Sequence, residues 1–438
     1  MDIYGASTFR VAAVDLNGQM RGKRVPASYA TKLEGGAVRM PLSVLNVDIM
    51  GADIEDSPLV FETGDADGIL RPTNRGAMPL PWLDSVQPLV PMMMYLDDGT
   101  PFYGDPRHAL KIVLERYHAR GWQVIASTEL EFTLVDDAGK RPRHVRDPRS
   151  GRRVVASEIL SLSQMDTFDP FLSALYDGCA AMGIEAQTTT SEAGVGQFEI
   201  TLNHQDALRA ADDTWFFKSL IRGLANKFGM AATFMAKPFP GDSGNGMHMH
   251  FSVLDAEGAN IFNDGGPRGT DALRHAVAGC LKALRPSTLI MAPHANSFER
   301  MVPGAHAPTA ISWAYENRTA AIRIPGGAPA ARRIEHRVAG GDINPYLTFA
   351  VILGAALTGI EDGVEPPAPI TGSAYDQDLP QLSEDWATAI NDFEASAQMK
   401  RIFDPRLIRN LVMTKRQELE HMSQLPVENH WKVYLEKV

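Results

Sequence analysis

Four short segments of this 438-residue chain set glutamate, histidine or arginine at every second position. In "STELEFTLV" Glu129, Glu131 and Thr133 alternate with Leu130, Phe132 and Leu134, and in "GQFEITL" Glu199 and Thr201 alternate with Phe198, Ile200 and Leu202. In "MHMHFSVL" His248, His250 and Ser252 alternate with Met247, Met249, Phe251 and Val253; in "RRIEHRVAG" Arg333, Glu335 and Arg337 alternate with Ile334, His336 and Val338. "AAIRIP" adds Arg323 between two isoleucines. Each segment by itself reads as an antiparallel strand with a wet face and a core face. Taken together, the polar faces carry Glu, His and Arg with no lysine, unlike an ordinary solvated face. Carboxylates clustered this closely repel one another unless cations compensate them. Carboxylates with an imidazole and no thiolate suit a hard divalent cation such as Mg²⁺ or Mn²⁺. Arginines lining the same space suit phosphate or carboxylate, whose geometry the guanidinium fork matches. That combination points to phosphoryl transfer, in which the protein positions groups and neutralises charge. Neither a Walker A motif nor a kinase glycine loop is present, so a nucleotide would be held in another way.

The elements that must carry these residues divide near "DDGTPFYGDP" (97–106). The first hundred residues mix short apolar runs with Gly, Pro and Asp turns and read as a small β-rich domain, 1–103. Asp105 is placed to cap a helix that begins at Pro106 and is closed by Gly121, opening a larger domain, 104–438, of alternating strands and helices. The apolar stretch "YLTFAVILGAALTGI" (346–360) is too short to span a bilayer and reads as a buried helix. The tail "LIRNLVMTKRQELEHMSQL" reads as an amphipathic helix whose charge run is a solvated face. A net charge of −11 argues against a general nucleic-acid binder, and a local arginine cluster still permits an anionic substrate. Cys179 and Cys280 form neither a disulfide framework nor a thiolate metal site, and no signal peptide is evident, so a soluble cytoplasmic protein with no membrane partner is expected.

Six segments in order, "TELEF", "SEAGVGQFEI", "FMAKPFPGDSGNGMHMHFS", "NSFERMVPGAHAP", "ENRTAAIRIP" and "RRIEHRVAGGDINPYL", resemble the glutamine synthetase superfamily. The resemblance extends to the N-terminal "VDLNGQMRGKRVP". It implies an α+β fold: a small β-grasp-like N-terminal domain and a large catalytic domain whose curved antiparallel sheet walls an active-site funnel. It implies a homo-oligomer, commonly a dodecamer of two hexameric rings, with the neighbour's N-terminal domain completing each site. The implied chemistry is ATP-dependent: the γ-carboxylate of glutamate is phosphorylated, and an amine attacks the acyl phosphate. Two or three Mg²⁺ or Mn²⁺ ions per site are implied. By the same resemblance, Glu131, Glu192 and Glu199 hold the metal on the glutamate side, and Glu129, His248 and Glu335 the metal on the ATP phosphates. Arg300 and Arg337 clamp glutamate, with Gly244 and Glu192 beside it. Arg318, Arg323 and Arg333 face the triphosphate, Arg318 and Arg337 stabilise the transferring group, and His250 and Ser252 adjoin the nucleotide.

Three departures from the resemblance bear on the substrates. Where ammonia-using members carry a flap glutamate, "RMVPGAHAP" carries His306, a poorer trap for a small cation that still accepts a proton. Ser243 stands where the resemblance has an asparagine, and "NVDIMGADI" retains only an aspartate, Asp48, of the family's Asp-Gly-Ser-Ser latch. "ENRTAAIRIP", "RRIEHRVAGGDINPYL" and "AYDQDLPQLSEDW" look most like the γ-glutamylpolyamine synthetase branch, which implies putrescine or another polyamine as acceptor. The alternatives are a monoamide synthetase for methylamine or ethanolamine, glutamine synthetase itself, and a non-catalytic family member. Tyr375 lies near where some relatives carry an adenylylated tyrosine and reads as an ordinary loop residue.

Overall fold

The computed structural model describes residues 2–302, 304 and 307–438. Strands β1 (Thr8–Val14), β2 (Met20–Pro26), β3 (Val38–Pro41), β4 (Asp67–Pro72) and β5 (Leu89–Tyr95) form an N-terminal sheet in the order β2-β1-β5-β4-β3. The β1–β5 pair is parallel and the others antiparallel, the mixed arrangement expected of a grasp-like sheet. Alternation along β1 gives the sheet two apolar faces. Phe9, Val11 and Ala13 pack with Val90, Met92 and Met94 in a small core of their own, whereas Ala12 and Val14 join Leu89 in the main core. Each such buried Val, Leu, Phe or Met contributes roughly 1.5–3 kcal/mol over leaving it in water.

The second sheet comprises β6 (Gln123–Asp136), β7 (Arg143–His144), β8 (Ala186–Ser191), β9 (Gln197–Leu202), β10 (Gln205–Asp206), β11 (Ala231–Thr233), β12 (Met247–Leu254), β13 (Trp313–Tyr315), β14 (Ile322–Ile324) and β15 (Ile334–His336). Its main path is β13-β14-β15-β12-β6-β9-β8, and the long β6 also pairs β7, β10 and β11. All pairs are antiparallel except β13–β14. The apolar face carries Leu130, Phe132, Ile200, Met247, Met249 and Phe251, all buried. The opposite face collects the polar residues.

The helices that hold this sheet start where the local chemistry directs. The Asp105 side chain accepts from the Arg107 N–H at the head of Pro106–His118. Asn344 accepts from Tyr346 and Leu347 at the head of Pro345–Asp362, and donates its amide to the Asp15 carbonyl at 2.9 Å. That second helix is buried from Pro345 to Gly359, as the sequence predicts. Among the described residues no helix is long and apolar enough to cross a membrane. One expectation fails: the C-terminal helix Pro405–Ser423 does not expose its whole charge run. Lys415 and Glu418 are 1% and 0% exposed, because the Lys415 ammonium meets Glu418 at 2.8 Å and also donates to the Asn17 side-chain oxygen. Glu418 in turn accepts from the Asn17 amide and from the Ile49 N–H, both at 2.8 Å, so the pair ties this helix to the N-terminal sheet.

Candidate active site

Strand register assembles the site. On β12 and β6, His248 lies opposite Glu129; on β12 and β15, His250 lies opposite Glu335; on β6 and β9, Glu131 lies opposite Glu199; and on β14 and β15, Arg323 lies opposite Glu335. The His248 Nδ1 is 2.9 Å from Glu129 Oε2 and 3.7 Å from Glu335 Oε1, so the three residues predicted to share one metal converge. Glu129, Glu199 and His248 also bring ligand atoms within 4.8 Å of one another, as do Glu129, His250 and Glu335. Burial pushes the His248 imidazole down from its ordinary value, with Glu129 and Glu335 opposing. His250 is better suited to orienting. Arg333 donates its Nε–H to His250 Nδ1 at 3.2 Å, so the ring hydrogen sits on Nε2 and points at Glu129 Oε1, 3.1 Å away.

Electrostatics divide the carboxylates. Burial alone would raise Glu129, but hydrogen bonds from His248 and His250 hold it well below the usual carboxylate range. Glu335 behaves alike: burial opposes ionisation, and His248, Arg337, His250 and Arg323 outweigh it. Arg323 reaches Glu335 at 2.6 Å, and Arg337 is also hydrogen-bonded to it. Glu199, by contrast, is pushed up to about 9 by burial and by Glu129, Glu131 and Glu192. Glu131 rises to about 7, mainly by burial, with Arg300 and the Gly246 N–H opposing. Buried glutamates that face one another across paired strands are the donor set a divalent ion fits. Glu129, His248 and Glu335 would hold one ion, and Glu131, Glu192 and Glu199 a second.

The glycine loop builds the neighbouring wall. Gly246 N–H donates to Glu131 Oε2 at 2.6 Å, and a side chain at Gly246 would meet Arg300 Nη2 at 2.7 Å. At Gly244 it would strike the Ala236 carbonyl and the Arg300 stem, so this position requires glycine for the close approach. Arg300 is buried there and donates to the Val338 carbonyl at 3.0 Å. Tyr375 is less remote than its sequence context implies. Its hydroxyl lies 3.4 Å from the Ala307 carbonyl, and it is close enough to Arg337 and Arg300 for their charges to offset the upward push of burial.

Beside the cluster opens a cleft of about 450 Å³ lined by Ser127, Glu129, Thr201, His250, Ser252 and Arg333. That volume suits a small organic ligand. The same cleft receives Gln187, His204 and Asn260, which the sequence reading missed. It also missed Gln197, whose amide donates to Glu131 at 3.3 Å and to the Gly244 carbonyl at 2.9 Å. Period two carried the signal for Ser127 and Gln197, each two residues from a named glutamate on the same strand. Two of the predicted residues stand apart. Arg318 is exposed, with no ion pair among the described residues. Asp48 is fully buried, accepting from Ala52 N–H at 2.8 Å and the Gln417 amide at 3.1 Å. His306 lies outside the described residues.

Residues 103–434 match the family model described as glutamine synthetase, catalytic domain. A γ-glutamylputrescine synthetase of Escherichia coli (strain K12) is 32% identical over 422 residues, covering 95% of this chain and 89% of the relative. A γ-glutamylethanolamide synthetase of Streptomyces coelicolor (strain ATCC BAA-471 / A3(2) / M145) is 32% identical over 419 residues, covering 94% and 89%. A solved structure described as a GmaS–ADP complex superposes with a TM-score of 0.84 at 26% identity, covering 98% of this chain and 96% of that one.

Proposed function

This chain belongs to the glutamine synthetase family, and on that premise we propose that it joins the γ-carboxyl of L-glutamate to an organic amine, with putrescine or another polyamine as acceptor and ATP converted to ADP and phosphate. The observation that carries this reading is the convergence of Glu129, His248 and Glu335 beside Arg323, next to the cleft that holds Arg333 and Ser252. Bound Mg²⁺ or Mn²⁺, two or three per site, supplies charge neutralisation at the phosphoryl oxygens. The protein's own groups do the rest. Arg333, Arg323 and the exposed Arg318 meet the triphosphate, while His250 and Ser252 flank the nucleotide. Arg300 and Arg337 hold the glutamate carboxylates, and Gly244 lets the loop close on Arg300. The γ-carboxylate oxygen takes the terminal phosphoryl group, the amine nitrogen then attacks the acyl carbon, and phosphate leaves. The amine sheds a proton in that step, and His306, an imidazole in the flap segment, is assigned to accept it. Asp48 receives no role at this chain's own site, since its carboxylate is engaged within the N-terminal loop and the C-terminal helix. Assembly as a dodecamer and a cytoplasmic setting, consistent with two buried free cysteines, complete the reading.

The equal identity to the relative named for ethanolamide synthesis supports a monoamine acceptor as the second reading. Phosphate release with glutamate, ATP and putrescine, ethanolamine, methylamine or ammonium distinguishes them by kcat/KM. The highest value is expected with putrescine. The highest value with ammonium would overturn the argument from His306, and no turnover with any amine would make this a non-catalytic member.

A further inference from the structure

A second cleft, of about 770 Å³, opens at the edge of the large sheet beside β13 and β14 and shares no lining residue with the cleft that holds Ser252 and Arg333. Trp313 and Tyr315 line it as a tilted ring pair with centroids 5.4 Å apart. Their polar tips are already spent: the indole N–H donates to the Pro367 carbonyl at 2.7 Å, and the phenol to the Arg268 carbonyl at 2.8 Å. What they offer the cleft is ring surface.

The charges around these rings do not balance. Glu365 is taken by Arg274 at 3.0 Å and His275 at 3.2 Å, and Glu316 by the Gly326 N–H and by Arg323. Arg268 and Arg332 line the cleft with no carboxylate partner among the described residues. Arg332 is 4% exposed, gives one Nη–H to the Gly266 carbonyl at 2.9 Å, and its buried Nε–H has no partner. A buried guanidinium with an unmet donor costs free energy until an acceptor arrives. The geometry points to a ligand site for a planar aromatic or heterocyclic anion: the ring lies against Trp313 and Tyr315, and its phosphate or carboxylate meets Arg268 and Arg332.

The cleft is wired to the active site. Glu316, on its wall, holds a left-handed backbone (φ 53°) that a non-glycine residue adopts only under constraint. Its carboxylate lies 3.5 Å from Arg323, which reaches Glu335 at 2.6 Å. An anion bound beside Glu316 therefore acts on the arginine that neutralises a predicted metal ligand.

The test uses the full chain with its nucleotide cleft filled by ADP and Mn²⁺, titrated calorimetrically with phenyl phosphate. Saturable binding with one site per chain is expected, weakened about tenfold or more in Arg268→Ala and in Tyr315→Leu. Phenol and inorganic phosphate should each bind more weakly than phenyl phosphate. Arg268 is exposed, so its removal should leave the fold and the amide-forming activity intact. No saturable binding, binding only when ADP is omitted, or equal binding by both variants would overturn the site. The apparent KM for ATP should shift with phenyl phosphate in the parent protein and stay constant in Arg268→Ala; an unshifted KM in the parent would overturn the link through Glu316.

Discussion

His248 and Glu129 stand directly opposite one another on β12 and β6, with His248 Nδ1 2.9 Å from Glu129 Oε2. The other Glu129 oxygen faces His250 at 3.1 Å, so a single carboxylate organises both histidines of the strand. Glu129 thereby links the carboxylate–histidine cluster to the cleft that holds Ser252 and Arg333.

Glu129→Gln should accordingly remove more than a structural contact. Amide formation is expected to fall by at least about 100-fold, with weakened Mn²⁺ binding, since ligand and supporting positions at metal sites typically carry effects of that order. Far-ultraviolet circular dichroism should be unchanged. Steady-state kinetics and Mn²⁺ titration check this, and wild-type turnover would remove Glu129 from the site.

Metal binding should release protons. Glu199, pushed up to about 9, and Glu131, at about 7, must both ionise to ligate a cation. Mn²⁺ affinity is therefore expected to climb with pH from 6 towards about 9. Calorimetry near neutral pH in buffers of differing ionisation heat should report proton release, reduced in Glu199→Gln. Heats independent of buffer would contradict the assignment.

His336, buried behind the cluster, sets an acid limit on stability. Burial and the neighbouring His248 push it down to about 3 from 6.5. Between those values the unfolded chain binds the extra proton, so stability rises with pH in this window and is lost as pH falls from 6.5 towards 3. Compared with His336→Leu, the parent protein should lose up to ~1.4 kcal/mol per pH unit in that range. Urea unfolding of both proteins across the window measures the difference; a gap that does not vary with pH would refute it.

The Lys415–Glu418 pair is the strongest mutational target outside the site. Removing one member leaves the other charged and buried, so Lys415→Met or Glu418→Gln should each cost about 3–5 kcal/mol. The double variant Lys415→Met/Glu418→Gln should lose clearly less than the sum of the two single losses. Chemical denaturation reads all three; strict additivity would mean the two residues do not interact.

Much of the site was legible in the chain itself. Period two set Glu129, Glu131, Glu199, His248, His250 and Glu335 on polar strand faces, and the same rule, applied further, reaches Ser127 and Gln197. Helix starts at Pro106 and Pro345 were legible for a similarly local reason, because a cap side chain bonds an N–H two residues away.

What remained hidden depended on which distant segments meet. Periodicity cannot distinguish His248 from His250. The register sets His248 opposite Glu129 and His250 opposite Glu335, and the hydrogen bond from Arg333 reaches His250 alone. The consecutive residues Arg332 and Arg333, just ahead of β15, line different clefts, a difference no local pattern announces. Lys415 and Glu418 read as surface charges until Asn17, 401 residues from Glu418, arrived to satisfy them. The sequence by itself determined face and element type, which follow from sterics within a few residues. Partner, burial and charge state were decided by the tertiary structure alone, because each depends on what desolvates and compensates a group across the sheet.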